Sequence, residues 1–561
     1  MKNSRNYLIL FFLILFTAAI ISRLAFLQIL KHDFYSALAQ GQHNIFFKAK
    51  GDRGKIFLQN KDEQLYPIAA NKEGKFCFVS LEKIKDKEKT IETLSEVLNI
   101  DREELSEKFE NTKTNFIILK EDLGGEEQEK LKELDILGIS VSEQKIREYP
   151  YQDFASHLIG FVNKDGVGQY GVEENYNSYL DSQERFFGRE KGPGGYLFSS
   201  NMQDLHGADL VLTIDYNIQF QAEKLLESAH ENLNIEKGQI IVIEPFSGKI
   251  IAMANFPRFN PNSYSSEELG IFKNGAIQDL FEPGSVFKAI TMSSAINEGK
   301  VTPQTTYEDS GMVMIGGWPI YNYDQRIYPG DISMTEVLEK SINTGAVFAE
   351  GELGHENFLK YVENFRIFER TEIDLPGESF SSNEEFKKGY EVNFATASFG
   401  QGIEMTPLQL ARAFCVLANG GKMVKPYIVE KIINDGEIIE TKEKVIAENV
   451  ILPVTSSKIT AMLVSVVKNG FAKGAQVPGY YVAGKTGTAQ ISYAALGEDK
   501  KGYSEKTWQT FIGYAPAFNP KFLVLVKLDN PETKTAEYSA VPIFHDLAKY
   551  IIDYLEIPPD Y

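Results

Sequence analysis

Residues 282–290 read Glu282-Pro283-Gly284-Ser285-Val286-Phe287-Lys288-Ala289-Ile290, a Pro-Gly turn running into an apolar stretch with a serine and a lysine three positions apart. Positions i and i+3 share one face of a helix, so this spacing sets Lys288 beside Ser285. A serine hydroxyl is a poor nucleophile until a base takes its proton, and a lysine can be that base once its pKa is lowered. The start of a helix also aims amide N–H groups at developing negative charge. The pattern alone does not decide the matter. S-x-x-K recurs at Ser80–Lys83 and Ser465–Lys468, and Ser285 in isolation reads equally well as a helix cap beside an exposed lysine.

Two further clusters follow. Ser341-Ile342-Asn343 stands 56 positions after Ser285, behind Ser333-Met334-Thr335-Glu336, which has the form of a capping box for a short helix delivering Ser341 to a turn. A hydroxyl there could relay a proton to a leaving amine, and the amide could hold a substrate carbonyl or the lysine. An ordinary turn capped by Ser and Asn is the other reading, and S-x-N also occurs at Ser4–Asn6, Ser199–Asn201 and Ser381–Asn383. Gly484-Lys485-Thr486-Gly487-Thr488 comes 144 positions later and holds the one K-T-G of the chain. Glycine in a strand admits another backbone, such as an extended peptide lying along the edge. Lys485 and the threonine hydroxyls suit a carboxylate, although a charged edge strand also serves simply to block pairing. Taken in this order, the three clusters nominate Ser285, Lys288, Ser341, Asn343 and Lys485 as catalytic residues and Thr486, Gly487 and Thr488 as substrate-binding.

Outward from this centre, Asp209–Asp215 alternates as a strand leading into a helix over Gln219–Ala229. Gln239–Ile243 and Lys249–Ala254 read as a hairpin turned by Pro245-Phe246-Ser247-Gly248. Upstream, Gly192-Pro193-Gly194-Gly195 marks a turn or linker. Before it lie strands at Phe76–Val79 and Phe116–Leu119, a helix carrying Ile91, Leu94, Val97 and Leu98, and a second helix opening at Asp101-Arg102-Glu103-Glu104. The chain divides accordingly into an N-terminal tip with a transmembrane helix (1–30), a smaller mixed domain (31–200) and a large α/β unit (201–561).

At the N-terminus, Lys2 and Arg5 precede 17 uncharged residues, Asn6–Ser22. At ~1.5 Å per residue they span ~26 Å, close to a bilayer core of roughly 30 Å. The helix continues through Leu24–Leu30, with Arg23 snorkelling to the far interface. A cleaved signal peptide is the alternative, but its apolar region is normally only about 7–15 residues, and bulky Ile20-Ile21 follows Ala18-Ala19 where a cleavage site would need small residues. The basic end stays in the cytoplasm, so the body after about residue 30 lies outside.

Composition narrows the classes further. The 561 residues are 43% apolar and 12% aromatic, which excludes wholesale disorder. A net charge of −20 argues against a chain that wraps nucleic acid. Two cysteines, Cys77 and Cys415, make no disulfide framework, and no metal-ligand spacing surrounds them.

S-x-x-K, S-x-N and K-T-G in this order resemble the serine penicillin-recognising enzymes, and the wider pattern resembles class B penicillin-binding proteins, the monofunctional peptidoglycan D,D-transpeptidases. Arg23-Leu24 with Leu27-Gln28-Ile29 is similar to the family's start. Arg53-Gly54-Lys55-Ile56-Phe57 is similar to its R-G-x-I-x-D segment, with Leu58 where Asp is usual. His157–Gly160 and Gly168–Tyr176 resemble the close of its pedestal, and Ala540–Phe544 with Ile557–Pro559 its C-terminal end. Gly400-Gln401-Gly402 with Thr406-Pro407-Leu408-Gln409 resembles its G-Q-G…T-P-x-Q block. Physically, the latter part is a helix start, with Thr406 as cap, Pro407 at the first position and Gln409 completing a capping box.

The resemblance implies a membrane helix, a mixed α+β pedestal of the dimerisation type, and a transpeptidase domain with an antiparallel sheet covered by helices and an all-helical part. It implies that Ser285 attacks between the terminal D-alanines of a stem peptide with Lys288 as base. Ser341 would return a proton to the leaving D-alanine, with Lys485 nearby favouring that transfer, and Asn343 would position substrate and Lys288. Thr486 and Thr488 would bind the terminal carboxylate, and the N–H groups of Ser285 and Thr488 would form the oxyanion hole. No metal or cofactor is implied. The implied partners are peptidoglycan stem peptides, lipid-linked or on nascent glycan, β-lactams as covalent inhibitors, a multipass membrane glycan polymerase, and divisome or elongasome proteins. Compact length and the Glu282–Lys288 context look more like the division-type than the elongation-type subfamily. Two other readings stay open: a D,D-carboxypeptidase or β-lactamase-like hydrolase, and a non-catalytic scaffold for a membrane glycan polymerase.

Overall fold

The computed structural model describes residues 16–17, 47–110, 116–120, 122–134, 136–182, 184–187, 190–192, 195–197 and 206–561. The expected anchor over residues 1–30 lies outside the described residues apart from Phe16 and Thr17. Among the described residues no helix is long and apolar enough to cross a membrane.

The chain forms two compact units. One is drawn from Met1–Arg53 and Asp181–Gly207. In it Phe47–Lys50 pairs antiparallel with Glu184–Phe187, and Glu190–Gly192 with Gly195–Leu197; Pro193 and Gly194 of the expected turn lie outside the described residues. The other unit, Gly54–Leu180 with Ala208–Tyr561, holds every candidate site residue.

Within the larger unit, β1 (Ile56–Gln59) pairs antiparallel with β2 (Leu65–Ser80), a long strand. The pleat of β1 turns Ile56 and Leu58 inward, and both are fully buried. Leu58 is thus a core residue, and its effect is on packing; an aspartate there would bury a carboxylate with the cost that entails. The far half of β2 carries β3 (Phe116–Lys120) and β4 (Ile139–Glu148). With α1 (Lys87–Leu98), α2 (Arg102–Glu110) and α3 (Gly125–Leu134), these strands enclose a separate small core of Cys77, Val79, Ile91, Leu94, Leu98, Leu105, Phe109, Leu119 and Leu131. At the head of α2, Asp101 accepts from the Glu103 N–H at 2.8 Å. On its other side β1 pairs in parallel with β5 (Asp209–Asp215), so one sheet runs on into the C-terminal part of the chain.

After β5, Asp215 caps α4 (Tyr216–Leu233) by accepting from the N–H groups of Asn217 and Ile218. The expected hairpin follows as β6 (Lys237–Ile243) and β7 (Ile250–Phe256). The core of this region is a five-stranded, wholly antiparallel sheet in the order β7-β6-β10-β9-β8, where β8 is Ala483–Ser492, β9 Tyr503–Ala515 and β10 Phe522–Asp529. Helix α4 and the C-terminal helix Ala540–Tyr554 pack on each other and on the sheet. A second group packs together and against β6, β8 and β10: α5 (Lys288–Asn297), α6 (Met334–Glu339), α7 (Asn343–Leu353), α8 (Pro407–Ala418) and α9 (Pro453–Asn469). Covered in this way, β10 is buried from Phe522 to Leu528, and its sequence is apolar almost without interruption. At α8, Thr406 and Gln409 form the expected capping box with Pro407 in the first turn.

Candidate active site

The nucleophile segment is one 3₁₀ turn, Gly284–Phe287, that continues into α5. Ser285 caps nothing: the turn has no side-chain cap bond. Gly284 holds φ +58, in the left-handed region that favours glycine. Its N–H donates to the Gly400 carbonyl at 3.0 Å, and a Cβ on Gly400 would stand 2.1 Å from the Gly284 oxygen. The G-Q-G segment therefore buttresses the turn from behind by close backbone contact.

Lys288 is 1% exposed, which removes the reading of an exposed lysine. Its Nζ lies 3.0 Å from Ser285 Oγ, 2.8 Å from Asn343 Oδ1, 2.6 Å from the Ser341 carbonyl and 3.3 Å from Ser341 Oγ. The capping box Ser333/Glu336 starts α6, as the sequence predicts, and the chain turns back between α6 and α7 at Ser341. Ser341 adopts φ +53, a conformation non-glycine residues rarely take. That turn aims its hydroxyl between two amines, because Lys485 Nζ lies 3.0 Å from Ser341 Oγ on the other side.

Lys485 belongs to β8, the edge strand of the sheet. A Cβ at Gly487 would come within 2.6 Å of the Pro283 carbonyl and 2.7 Å of Val286 Cγ2. The room assigned from the sequence to an approaching peptide is thus occupied by the chain's own nucleophile turn, and Gly487 locks strand and turn together. Thr486 and Thr488, on the alternate positions, line a cleft of about 320 Å³ with Ser285, Ser341, Tyr323, Asp324 and Arg326. Thr488 Oγ1 accepts from the Ala536 N–H at 3.2 Å and keeps its own proton for another acceptor.

Burial governs the electrostatics. It drives the Lys288 pKa well below the ordinary lysine value, helped by the charge of Lys485, and burial alone lowers Lys485 to about 7. An amine with such a pKa carries a free lone pair at a pH where an exposed lysine would not. Three residues before the serine, burial pushes the Glu282 carboxyl up to about 7, against the opposing pull of the Tyr503 hydroxyl that donates to it at 3.0 Å. The arrangement is a serine with a neutral-prone base on one side and a hydroxyl relay to a second amine on the other, opening on a cleft with hydrogen-bond donors.

Residues 238–549 match the penicillin binding protein transpeptidase domain, and 48–186 the penicillin-binding protein dimerisation domain. The chain belongs to the class B penicillin-binding proteins. It is 30% identical to stage V sporulation protein D of Bacillus subtilis over 572 residues, covering 99% of this chain and 86% of that protein. It is 29% identical over 571 residues to the probable peptidoglycan D,D-transpeptidase PbpC of Pseudomonas aeruginosa, covering 100% and 96%. The fold is shared with the crystal structure of penicillin-binding protein 3 from Mycobacterium tuberculosis complexed with aztreonam, at a TM-score of 0.69 and 24% identity over 92% of this chain and 98% of that one.

In this penicillin-binding protein all five residues nominated as catalytic come together around the two lysine amines. Sequence reasoning missed the support behind them. Asn343 Nδ2 donates to the Tyr321 carbonyl at 2.9 Å, and the neighbouring Asn322 and Asp309 form a buried polar node. Both lie between the motifs, in a segment with no periodicity or recurring pattern to single them out. Tyr503, 221 positions from Glu282, carried no signal either.

Proposed function

We propose that this protein is a peptidoglycan D,D-transpeptidase that crosslinks stem peptides through a serine acyl-enzyme. The observation that carries the reading is Lys288 Nζ, buried and of lowered pKa, at 3.0 Å from Ser285 Oγ. Lys288 takes the Ser285 proton as Oγ adds to the carbonyl between the two terminal D-alanines. The N–H groups of Ser285 and Thr488 receive the oxyanion, and the hydroxyls of Thr486 and Thr488 with the Lys485 cation hold the terminal carboxylate. The proton passes through Ser341 Oγ, which bridges Lys288 and Lys485, to the departing amine, and D-alanine leaves. The amine of a neighbouring stem peptide then adds to the Ser285 ester. Its proton returns along the same groups to Ser285 Oγ, and the new amide is the crosslink. β-Lactams enter the same first step and remain as the acyl-enzyme.

In this reading residues 1–30 anchor the protein in the membrane, with the pedestal (31–200) and the catalytic domain (201–561) on the extracytoplasmic side. The division-type likeness supports a septal role beside a multipass glycan polymerase. A fluorescent penicillin is expected to label the wild type with slow decay of the label and to leave Ser285→Ala unlabelled. A wild type that stays unlabelled beside a labelled control enzyme would refute the transpeptidase reading, and rapid loss of the label would move it to a hydrolase.

A further inference from the structure

Helix α7 starts at Asn343, the residue whose Oδ1 receives Lys288 Nζ, yet nothing local caps it. Ile342 precedes it, and no side-chain cap bond is made there. The first N–H groups of a helix need acceptors. Here those of Asn343 and Thr344 both donate to one atom, Asn322 Oδ1, each at 3.0 Å, from a loop more than twenty positions upstream. Asn322 is 4% exposed. Its Nδ2 donates to both oxygens of Asp309 at 3.0 Å and to the Arg326 carbonyl at 3.1 Å. Asp309, equally buried, also accepts from the Gly311 N–H at 3.0 Å, the Tyr328 N–H at 2.9 Å and Thr344 Oγ1 at 2.7 Å.

This node dictates orientation. A carboxylate only accepts, so the Asn322 nitrogen must face Asp309, and its oxygen is left for the helix. One position earlier, the Tyr321 carbonyl takes Asn343 Nδ2 and leaves Asn343 Oδ1 for Lys288 Nζ. Two consecutive loop residues thereby settle the place of the Asn343 backbone and the direction of its amide. The same loop continues into Tyr323, Asp324 and Arg326 on the cleft wall, where Asp324 and Gln325 hold φ of +57 and +54. Two successive non-glycine residues in the left-handed region persist only where their surroundings over-determine them. The Gln325 N–H donates to the Asn322 carbonyl at 3.0 Å, while Asn322 Nδ2 donates to the Arg326 carbonyl.

We propose that Asn322, oriented by Asp309, is a positioning residue that caps the helix bearing Asn343 from outside and so holds the acceptor that keeps Lys288 against Ser285. The proposal rests on the transpeptidase reading above, with Lys288 as the base. Asn322 touches no reacting atom and acts through Asn343.

The test compares acylation of the full chain by a fluorescent penicillin, as a function of pH, for the wild type, Asn322→Ala and Asp309→Asn. Asp215→Ala is the control, because it removes the equivalent double cap from α4 far from these residues. Asn322→Ala is expected to slow acylation about 10–100-fold, the scale set by misplacing a catalytic group by up to an ångström. The acid limb of its pH profile is expected to move to lower pH. Asn343 Oδ1 and the Ser341 carbonyl both favour the protonated amine of Lys288, so a lost acceptor eases its deprotonation; Lys485 is the charge facing it across the cleft. Asp309→Asn keeps size but puts a donor against the donors of Asn322 and Tyr328, and is expected to act in the same direction more weakly. It decides the matter if Asn322→Ala does not fold. Wild-type rate and pH profile in the folded variants, or a loss no greater than that of Asp215→Ala at equal loss of Tm, would overturn the proposal. Failure of the wild type itself to acylate would instead overturn the functional reading and this inference with it.

Discussion

Gly487→Ala tests the joint between the edge strand and the nucleophile turn. The added Cβ would stand 2.6 Å from the Pro283 carbonyl oxygen and 2.7 Å from Val286 Cγ2, whereas ordinary contact begins at 3.4 Å. Strand β8 and the Gly284–Phe287 turn must therefore part by about 0.8 Å. No side-chain rotation relieves the first contact, because the oxygen belongs to the backbone of a ring-locked proline. The displacement separates groups that must act together: Ser285 rides on the turn, Lys485 and Thr488 on the strand. A misplacement near 1 Å costs about 100-fold in rate, and overpacking a core contact costs about 1–3 kcal/mol. The variant is thus expected to acylate about 10–100-fold more slowly while staying folded, with Tm lowered by a few degrees. The second-order acylation rate constant with a fluorescent penicillin, alongside thermal melts, measures both. Gly351→Ala supplies the comparison, since nothing lies within 4 Å of a Cβ there. Inside α7 that change is expected to stabilise by up to about 1 kcal/mol without changing acylation. If Gly487→Ala acylated within about twofold of wild type at unchanged Tm, the strand and turn would not be locked as described.

Two further expectations concern pH. Lys485 titrates near 7 when folded against 10.5 unfolded. The unfolded chain therefore binds more protons between those values, stability rises with pH across that window, and the full penalty is present below it. At ~1.4 kcal/mol per pH unit the penalty reaches about 5 kcal/mol, so Lys485→Met should be more stable at pH 7 by about 2–5 kcal/mol. Urea unfolding from pH 7 to 10 should show a flatter slope than wild type, and an unchanged slope would count against a buried, depressed lysine. Glu282 runs the other way, with a folded pKa of about 7 above its ordinary 4.5. The stability it contributes is complete below pH 4.5 and is lost as pH rises to about 7, so Glu282→Gln should gain about 2–3 kcal/mol on wild type between pH 5 and pH 8. Equal differences at both pH values in thermal melts would contradict this.

The local elements were legible because their signals are local. The Ser333/Glu336 and Thr406/Gln409 capping boxes, the β6–β7 hairpin and the β5 strand each follow from a few neighbouring residues and form as predicted, although β5 is buried on both faces and does not alternate. The candidate site was legible as three short motifs, each ambiguous on its own. Asn322, Asp309 and Tyr503 were not legible, because a buried polar side chain is chosen by whatever acceptor or donor the fold brings to it. Asp309 and Asn322 stand 13 positions apart, Asn322 and Asn343 21, and Tyr503 and Glu282 221. Leu58 shows the same limit from the apolar side: only the pleat of β1 reveals that its position faces the core.

The amino-acid sequence by itself determined which groups are present and in what order: a serine with a lysine a helical turn on, a serine–asparagine turn, and the one K-T-G strand. These rest on i,i+3 geometry, capping chemistry and the conformational freedom of glycine, all short-range. Only the tertiary structure decided what those groups are. The two lysines become potential bases because the fold buries them together, and desolvation exists only once distant segments close over a charge. Gly487 became a lock and not a gap because the turn 200 residues earlier presses against it, a contact that no local pattern records.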